Sequence, residues 1–427
     1  MHKAQLIPLA ADHRRAWLRV GTLLDGLSTK PMRNAHVVYD SGHILYAGKE
    51  PPPRDLVGEG RQEPDLDLPN YTLLPGLIDA HTHFFLEGGE LGHEKRAAHV
   101  RQTREELIRL ATSRLEKVLS LGVIAARDAG DKDGVGLALS KLCKSAERPL
   151  MPYVDSPGAA IHHRGRYGSF MGQPIEEYES LSACVEARVK AGADRIKLIP
   201  TGIIDFKKGA VTSEPQMSER EICELVGAAK SFGKQTLAHA SGDTGIERAI
   251  EGGVDTIEHG FFVRSDQLAR MRDRQIAWVP TFSPVEKQVE HAVQMGWDAQ
   301  IVQNLRGVLD QHAESLVRAS DMGVQVLAGS DSGSYGVAHG AGLLHELELM
   351  ERAGLSPLAI VNSATGASSQ RLAFRENFGQ IKPGYLCRFL LTGHSPLEGA
   401  ANLRKNRFLF FDGAVFEAEE DFDSAGL

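Results

Sequence analysis

Between about residues 74 and 375 the chain alternates short, largely apolar runs with longer segments whose apolar residues recur at helical spacing. The first kind reads as strands buried on both faces, the second as helices packed over them. Eight strands are predicted: Leu73–His81, Gly122–Asp128, Leu150–Asp155, Arg195–Ile199, Gln235–His239, Thr256–His259, Ala277–Pro280 and Val324–Ala328. Helix punctuation agrees. Thr103 with Glu106 and Ser218 with Glu221 have capping-box spacing, Gly122 and Gly233 fall at helix C-termini, and Ser356-Pro357 sets an N-cap before a first-turn proline. The pattern predicts an α/β fold of the (β/α)8 TIM-barrel type. An open doubly wound sheet is the alternative, but no Gly-x-Gly-x-x-Gly turn follows the first strand.

The flanks differ. Strand-like pieces at Ala16–Leu23 and Ala35–Ala47 are broken by Asp25-Gly26 and Ser41-Gly42, and Phe408–Phe411 runs into Asp412-Gly413. Both ends are expected to join in one small β-sandwich-like domain, residues 1–72 with 379–427, beside a barrel over 73–378. The acidic end, Glu417 to Leu427, is expected to fray.

Composition narrows the function. The 48 basic and 56 acidic residues leave a net charge of −8 spread along the chain, which argues against a nucleic-acid or anionic-membrane partner. No window is apolar enough to span a membrane, and Met1 to Trp17 lacks a signal-peptide core. Cys143, Cys184, Cys223 and Cys387 show no Cys-x-x-Cys spacing, so reduced thiols in a cytoplasm are expected, and any metal must be held by other side chains.

His81 and His83 lie two apart at the end of the first strand and so project to one side, where a divalent metal could take both. Strand four carries Lys197, strand five ends in His239, strand six in His259, and Asp331 follows strand eight. Singly, each has an ordinary structural reading: a satisfied polar residue, a helix cap, a snorkelling lysine. Together, in order and at strand ends, they point to one site.

This ordered set resembles the amidohydrolase superfamily. The carrying segments are Leu74-Pro75-Gly76-Leu77-Ile78-Asp79-Ala80-His81-Thr82-His83, Leu237-Ala238-His239-Ala240, Gly253–Gly260, Val279-Pro280-Thr281 and Ala328-Gly329-Ser330-Asp331, with Asn362–Thr365 and Gly379–Gly384 beyond. The resemblance is to the binuclear, carboxylated-lysine subtype, in the Xaa-dipeptidase and imidazolonepropionase-related branch. It implies His81, His83 and Asp331 on one metal, His239 and His259 on another, and N6-carboxylysine at Lys197 between two divalent ions, zinc by default. It implies hydrolysis of a carbon–nitrogen amide bond by a metal-bridging hydroxide, with Asp331 as general base and acid and a low resting pKa for that carboxylate.

The loop after strand three offers His162, His163, Arg164, Arg166 and Tyr167 for substrate binding. By the same resemblance His163 polarises the carbonyl and Arg164 or Arg166 clamps a carboxylate. Two departures stand out: His162-His163-Arg164 where the branch carries Gly-Gly-His, and Leu386-Cys387-Arg388 where Ala-Asp is usual. His345-Glu346 reads as core, and His93 and His99 as loop and helix surface.

The expected substrate is a small molecule, a dipeptide or an N-acyl or aryl-amide amino acid. A cyclic-amide hydrolase or deaminase of the imidazolonepropionase type is the alternative. Lys197 counts against it, as does Ser241-Gly242-Asp243 where a deaminase carries an acid/base glutamate. From another class comes a non-catalytic scaffold on the same fold. Pairing into a homo-oligomer through exposed helices is compatible with this reading.

Overall fold

The computed structural model describes residues 15–40, 42–58, 60–405 and 407–418. The expected frayed tail beyond residue 418 and the stretch before residue 15 lie outside these. Two compact units divide the chain. One holds the residues up to Ile78, Lys117–Ala125 and those from Ser356 on; the other holds Asp79–Glu116 and Ala126–Leu355.

The first unit carries a seven-stranded sheet drawn from both flanks. In chain order its strands are Ala16–Leu23, Met32–Tyr39, Ile44–Gly48, Leu66–Pro75, Phe389–Thr392, Arg407–Phe411 and Ala414–Ala418. The fourth lies between the first and the fifth, so the N- and C-terminal flanks share one sheet. The strands join one sheet, where sequence suggested a sandwich. Asp412 and Gly413 both take positive φ, the pair of left-handed residues that a two-residue hairpin turn between right-twisted strands requires. Leu18, Val20, Val37, Phe389 and Phe410 fill the main core cluster on this sheet.

The run Leu73–His81, read as one strand, is two. Leu73, Leu74 and Pro75 pair with Phe389–Leu391 in the seven-stranded sheet, and a new strand, Leu77–Thr82, starts after Gly76. A Cβ at Gly76 would stand 2.3 Å from the Ile124 side chain, so only glycine fits the switch. An apolar run alone cannot reveal which of two sheets each half will join.

Seven of the eight expected strands are present in two further sheets. Leu77–Thr82, Val123–Asp128 and Tyr153–Asp155 form one; Ile196–Leu198, Thr236–Ala240, Thr256–His259 and Ala277–Val279 form the other. The pairs of the second sheet are all parallel. The eighth, Val324–Ala328, is not a regular strand: Val326 makes a single parallel bridge to Trp278, and Ser332 another to Thr82. Its backbone bonds are shared out between neighbours (Leu327 N–H to Trp278, Ala80 N–H to Ala328, Asp331 N–H to His81) and are too sparse for a ladder. Ile161 bridges to Leu198.

Helix starts follow the sequence signals. Ser218 and Glu221 make the reciprocal capping box, Thr103 Oγ1 accepts from Glu106 N–H, and Ser356 caps the helix Pro357–Ser363. Each such cap contributes about 1 kcal/mol.

Candidate active site

His81, His83, Lys197, His239, His259 and Asp331 all belong to the second unit and all are buried. The histidines and Lys197 lie in or at the ends of strands, and Asp331 lies in the bridged segment from Val326 to Ser332. Neighbouring imidazole rings are centred 5.4 Å (His81–His83), 5.0 Å (His81–His259) and 4.5 Å (His239–His259) apart. Asp331 Oδ1 is 3.7 Å from His81 Nε2 and 3.6 Å from His83 Nε2. Ligands held at about 2.1 Å in a tetrahedron around one ion stand about 3.4 Å apart, so this trio has the spacing of a metal site.

The hydrogen bonds prepare the same trio. Nδ1 of His81 lies 2.6 Å from Glu258 Oε2, and His83 Nδ1–H donates to the Gly130 carbonyl at 2.9 Å. Each bond commits Nδ1 as donor and turns the Nε2 lone pair toward Asp331. His81 Nε2 is buried without a hydrogen-bond partner, an expensive vacancy unless something electrophilic faces it. On the other side the roles reverse: His239 Nε2–H points to the Gly202 carbonyl at 3.3 Å, which leaves Nδ1 as its lone-pair atom. His259 Nδ1 is 2.7 Å from Thr281 Oγ1.

Burial holds all four imidazoles neutral. Desolvation is the leading cause, followed by Lys197 for His81, His83 and His239, with His83 pushed down to about 4 and His239 to about 3. For His259 the second cause is His239. Desolvation also lowers Lys197, to about 8. Asp331 departs from the sequence expectation: burial raises it to about 7, with Lys197 pulling the other way. The low value expected from sequence presupposed nearby cations, and a divalent ion would restore it.

Sequence reasoning missed the supports. Glu258 accepts from Arg127 at 2.8 Å and from Thr256 Oγ1 as well as facing His81. The signal was present, since Thr256 and Glu258 lie two apart in a buried strand and so share a face. Asp79 accepts from the Ser330 N–H and hydroxyl, tying the first strand to the segment that bears Asp331. His339 Nε2–H donates to the His83 carbonyl at 3.1 Å. His259, Thr281 and Asp331 take positive φ of 66°, 52° and 52°. Left-handed backbone at a non-glycine costs about 1–3 kcal/mol and gathers at functional sites.

Above this cluster opens a cavity of about 360 Å³. His83, Lys197, His239, His259 and Asp331 line it, and Phe170, Ile203, Phe206 and Phe261 contribute apolar wall. Tyr167 lines it too, its ring centred 5.1 Å from His239. The other loop residues lie elsewhere. His162 sets both ring nitrogens 3.0 Å from the backbone carbonyls of His163 and Gly172. His163 is held between Glu176 and Glu221, at 2.8 and 3.1 Å. Arg164 pairs with Glu177, and Arg166 donates to the Glu214 carbonyl at 2.5 Å. Of the remaining histidines, His99 is buried and donates to the Phe85 carbonyl, so it is not a surface residue. Glu346 is buried, as read from sequence, and accepts from the backbone of Phe282 and Ser283.

Strands of an α/β fold thus bring histidines and a lysine, and the bridged segment an acid, to one cavity with apolar walls. The sequence model of the amidohydrolase family matches residues 72–415. The chain belongs to that family, and it is a hydrolase acting on carbon–nitrogen bonds. Ochratoxinase of Aspergillus niger is 23% identical over 434 residues, covering 93% of this chain and 85% of that protein. An uncharacterised Mycobacterium tuberculosis protein is 25% identical over 336 residues, 78% of this chain and 76% of its own. Among solved structures, a Xaa-Pro dipeptidase with methionine bound in its active site superposes with a TM-score of 0.78 at 25% identity, covering 94% of this chain and all of that one. The A. niger ochratoxinase structure gives 0.79 at 22%, covering 95% of this chain and 96% of its own. No helix among the described residues is long and apolar enough to cross a membrane.

Proposed function

We propose that the protein hydrolyses the amide bond of a small N-acyl or aminoacyl amino acid bearing an apolar or aromatic group. The observation that carries the reading is the cavity itself, with apolar walls above a floor of prepared lone pairs. Relatives that are an ochratoxinase and a Xaa-Pro dipeptidase support it. We infer too that the strands close a (β/α)8 barrel, supported by the single parallel bridges that join each of the two sheets to the segment from Val326 to Ser332.

The donor set suits two divalent ions: His81, His83 and Asp331 would hold one, His239 and His259 the other, and Lys197 as N6-carboxylysine would join them. Imidazole and carboxylate donors favour zinc. Bound there, the ions would supply an acidified water and a Lewis acid for the scissile carbonyl. The chain does the rest. Asp331, within 4.0 Å of His81, His83 and His259, takes a proton at a carboxylate oxygen and returns it to the departing nitrogen. Phe170, Phe206 and Phe261 bury the apolar group and exclude water from the reacting carbonyl.

The test is amine release from a panel of dipeptides and N-acyl amino acids, comparing the wild type with Asp331→Asn. The wild type turns over at least one aromatic N-acyl amino acid. Asp331→Asn loses about 10²–10⁴-fold in kcat while retaining much of its metal. Near-normal turnover in the variant removes Asp331 from its role, and a wild type inert on every amide overturns the reading.

A further inference from the structure

The cavity has two cationic side chains among its described lining residues, Lys197 and Arg96. Arg96 comes from the helix His93–His99, which follows the first catalytic strand. Its guanidinium is held by backbone carbonyls, those of Glu87, Glu90 (3.4 Å) and Gly333 (2.9 Å), and lies 5.5 Å from the Tyr335 ring centre. Among the described residues no carboxylate pairs with it. The two nearby acids are engaged elsewhere, Glu87 with Arg114 and Glu90 with Lys95. Carbonyls fix the direction of a guanidinium, and Glu87 and Glu90 act on its charge only from a distance. A half-buried cation oriented by carbonyls, with no carboxylate in contact, at the wall of this cavity is matched by an anion from the ligand.

Its position says which end of the substrate that anion occupies. Gly333 is two residues beyond Asp331, so the carbonyl that anchors Arg96 sits on the same short segment as the proposed proton donor, with Cα atoms at most about 7.6 Å apart. The apolar side chains Ile203 and Phe206 come instead from the stretch after the Lys197 strand. On the reading above, the nitrogen departs on the Asp331 side, and an α-amino acid carries its carboxylate two bonds from that nitrogen.

We propose that Arg96 is the carboxylate clamp of this enzyme. It selects amides whose leaving amine bears an α-carboxylate, a role that sequence had assigned to Arg164 or Arg166. The inference rests on the cavity being the substrate site.

Binding separates it from the catalytic reading. The probes are N-benzoyl-phenylalanine and its carboxamide, which differ only in the anion, titrated calorimetrically into metal-loaded wild type, Arg96→Gln and Arg96→Lys. The wild type is expected to bind the carboxylate roughly 10- to 100-fold more tightly than the carboxamide, the range of a charge-assisted hydrogen bond. In Arg96→Gln that ratio falls toward one, and Arg96→Lys, which keeps the charge and loses the fork, recovers part of it. A purely structural Arg96 would weaken both probes alike and leave the ratio intact. An unchanged ratio in Arg96→Gln, or a wild type that does not distinguish the probes, overturns the clamp even if the enzyme turns over amides. A collapsing ratio without turnover upholds the clamp and leaves the hydrolytic reading to fail on its own assay.

Discussion

Replacing Glu258 by glutamine tests whether the buried supports tune the site. Glu258 Oε2 faces His81 Nδ1 at 2.6 Å and one Arg127 nitrogen at 2.8 Å; Oε1 faces the same nitrogen at 2.8 Å and the Thr256 hydroxyl. Every neighbour except the hydroxyl is a committed donor. A glutamine amide must turn its NH2 either toward Arg127 and Thr256 or toward Arg127 and His81. In the first pose one Arg127 bond is lost and the ring faces a neutral oxygen. In the second, His81 must accept at Nδ1 and carry its proton on Nε2, the atom that the proposed metal would use. Loss of a histidine's outer partner lowers metal affinity about 10- to 100-fold, or about 1.4–2.7 kcal/mol. The weakened Arg127 pairing adds about 1–3 kcal/mol of destabilisation to the metal-free fold. Chelator competition monitored by metal analysis, with thermal unfolding of metal-free protein alongside, reads the two effects separately. A Glu258→Gln protein that holds metal as tightly as the wild type would refute the reasoning.

Two further outcomes follow from the core. Burial raises Glu346 from 4.5 to about 7, ahead of the Ser283 and Phe282 hydrogen bonds that lower it. The folded protein therefore holds this proton over a range where the unfolded chain has released it, so the contribution is full below pH 4.5 and is lost as pH rises to about 7. The span is worth about 3 kcal/mol; denaturant melts at pH 5 and 7.5 should show Glu346→Gln with a flatter pH dependence, and identical slopes would contradict the assignment. Gly76→Ala drives a methyl group into Ile124 and should cost about 1–3 kcal/mol, read as a lower denaturant midpoint; an unchanged midpoint would show that the strand switch has slack.

Much of the site was legible because strand ends are legible. His81 with His83, His239 and His259 terminate apolar runs, and a parallel strand buried on both faces leaves few other places for an imidazole. What stayed hidden depends on contacts distant in sequence. Glu258 matters through Arg127 and His81, 131 and 177 residues away, and Arg96 through Gly333, 237 away. His163 and Arg164 read as substrate groups because a basic loop after a strand is a good place for them; the acids that they meet, Glu176, Glu177 and Glu221, are not legible from that loop. The eighth strand was legible as an apolar run and yet forms only single bridges, because its hydrogen bonds go to two neighbours in turn.

The central claim is a two-metal site joined through Lys197, and metal content per chain tests it most directly. Protein purified without chelator, with bicarbonate present, should contain about two equivalents of divalent metal, and Lys197→Ala should fall sharply below that while remaining folded. A single equivalent indifferent to Lys197, or none, would contradict the account.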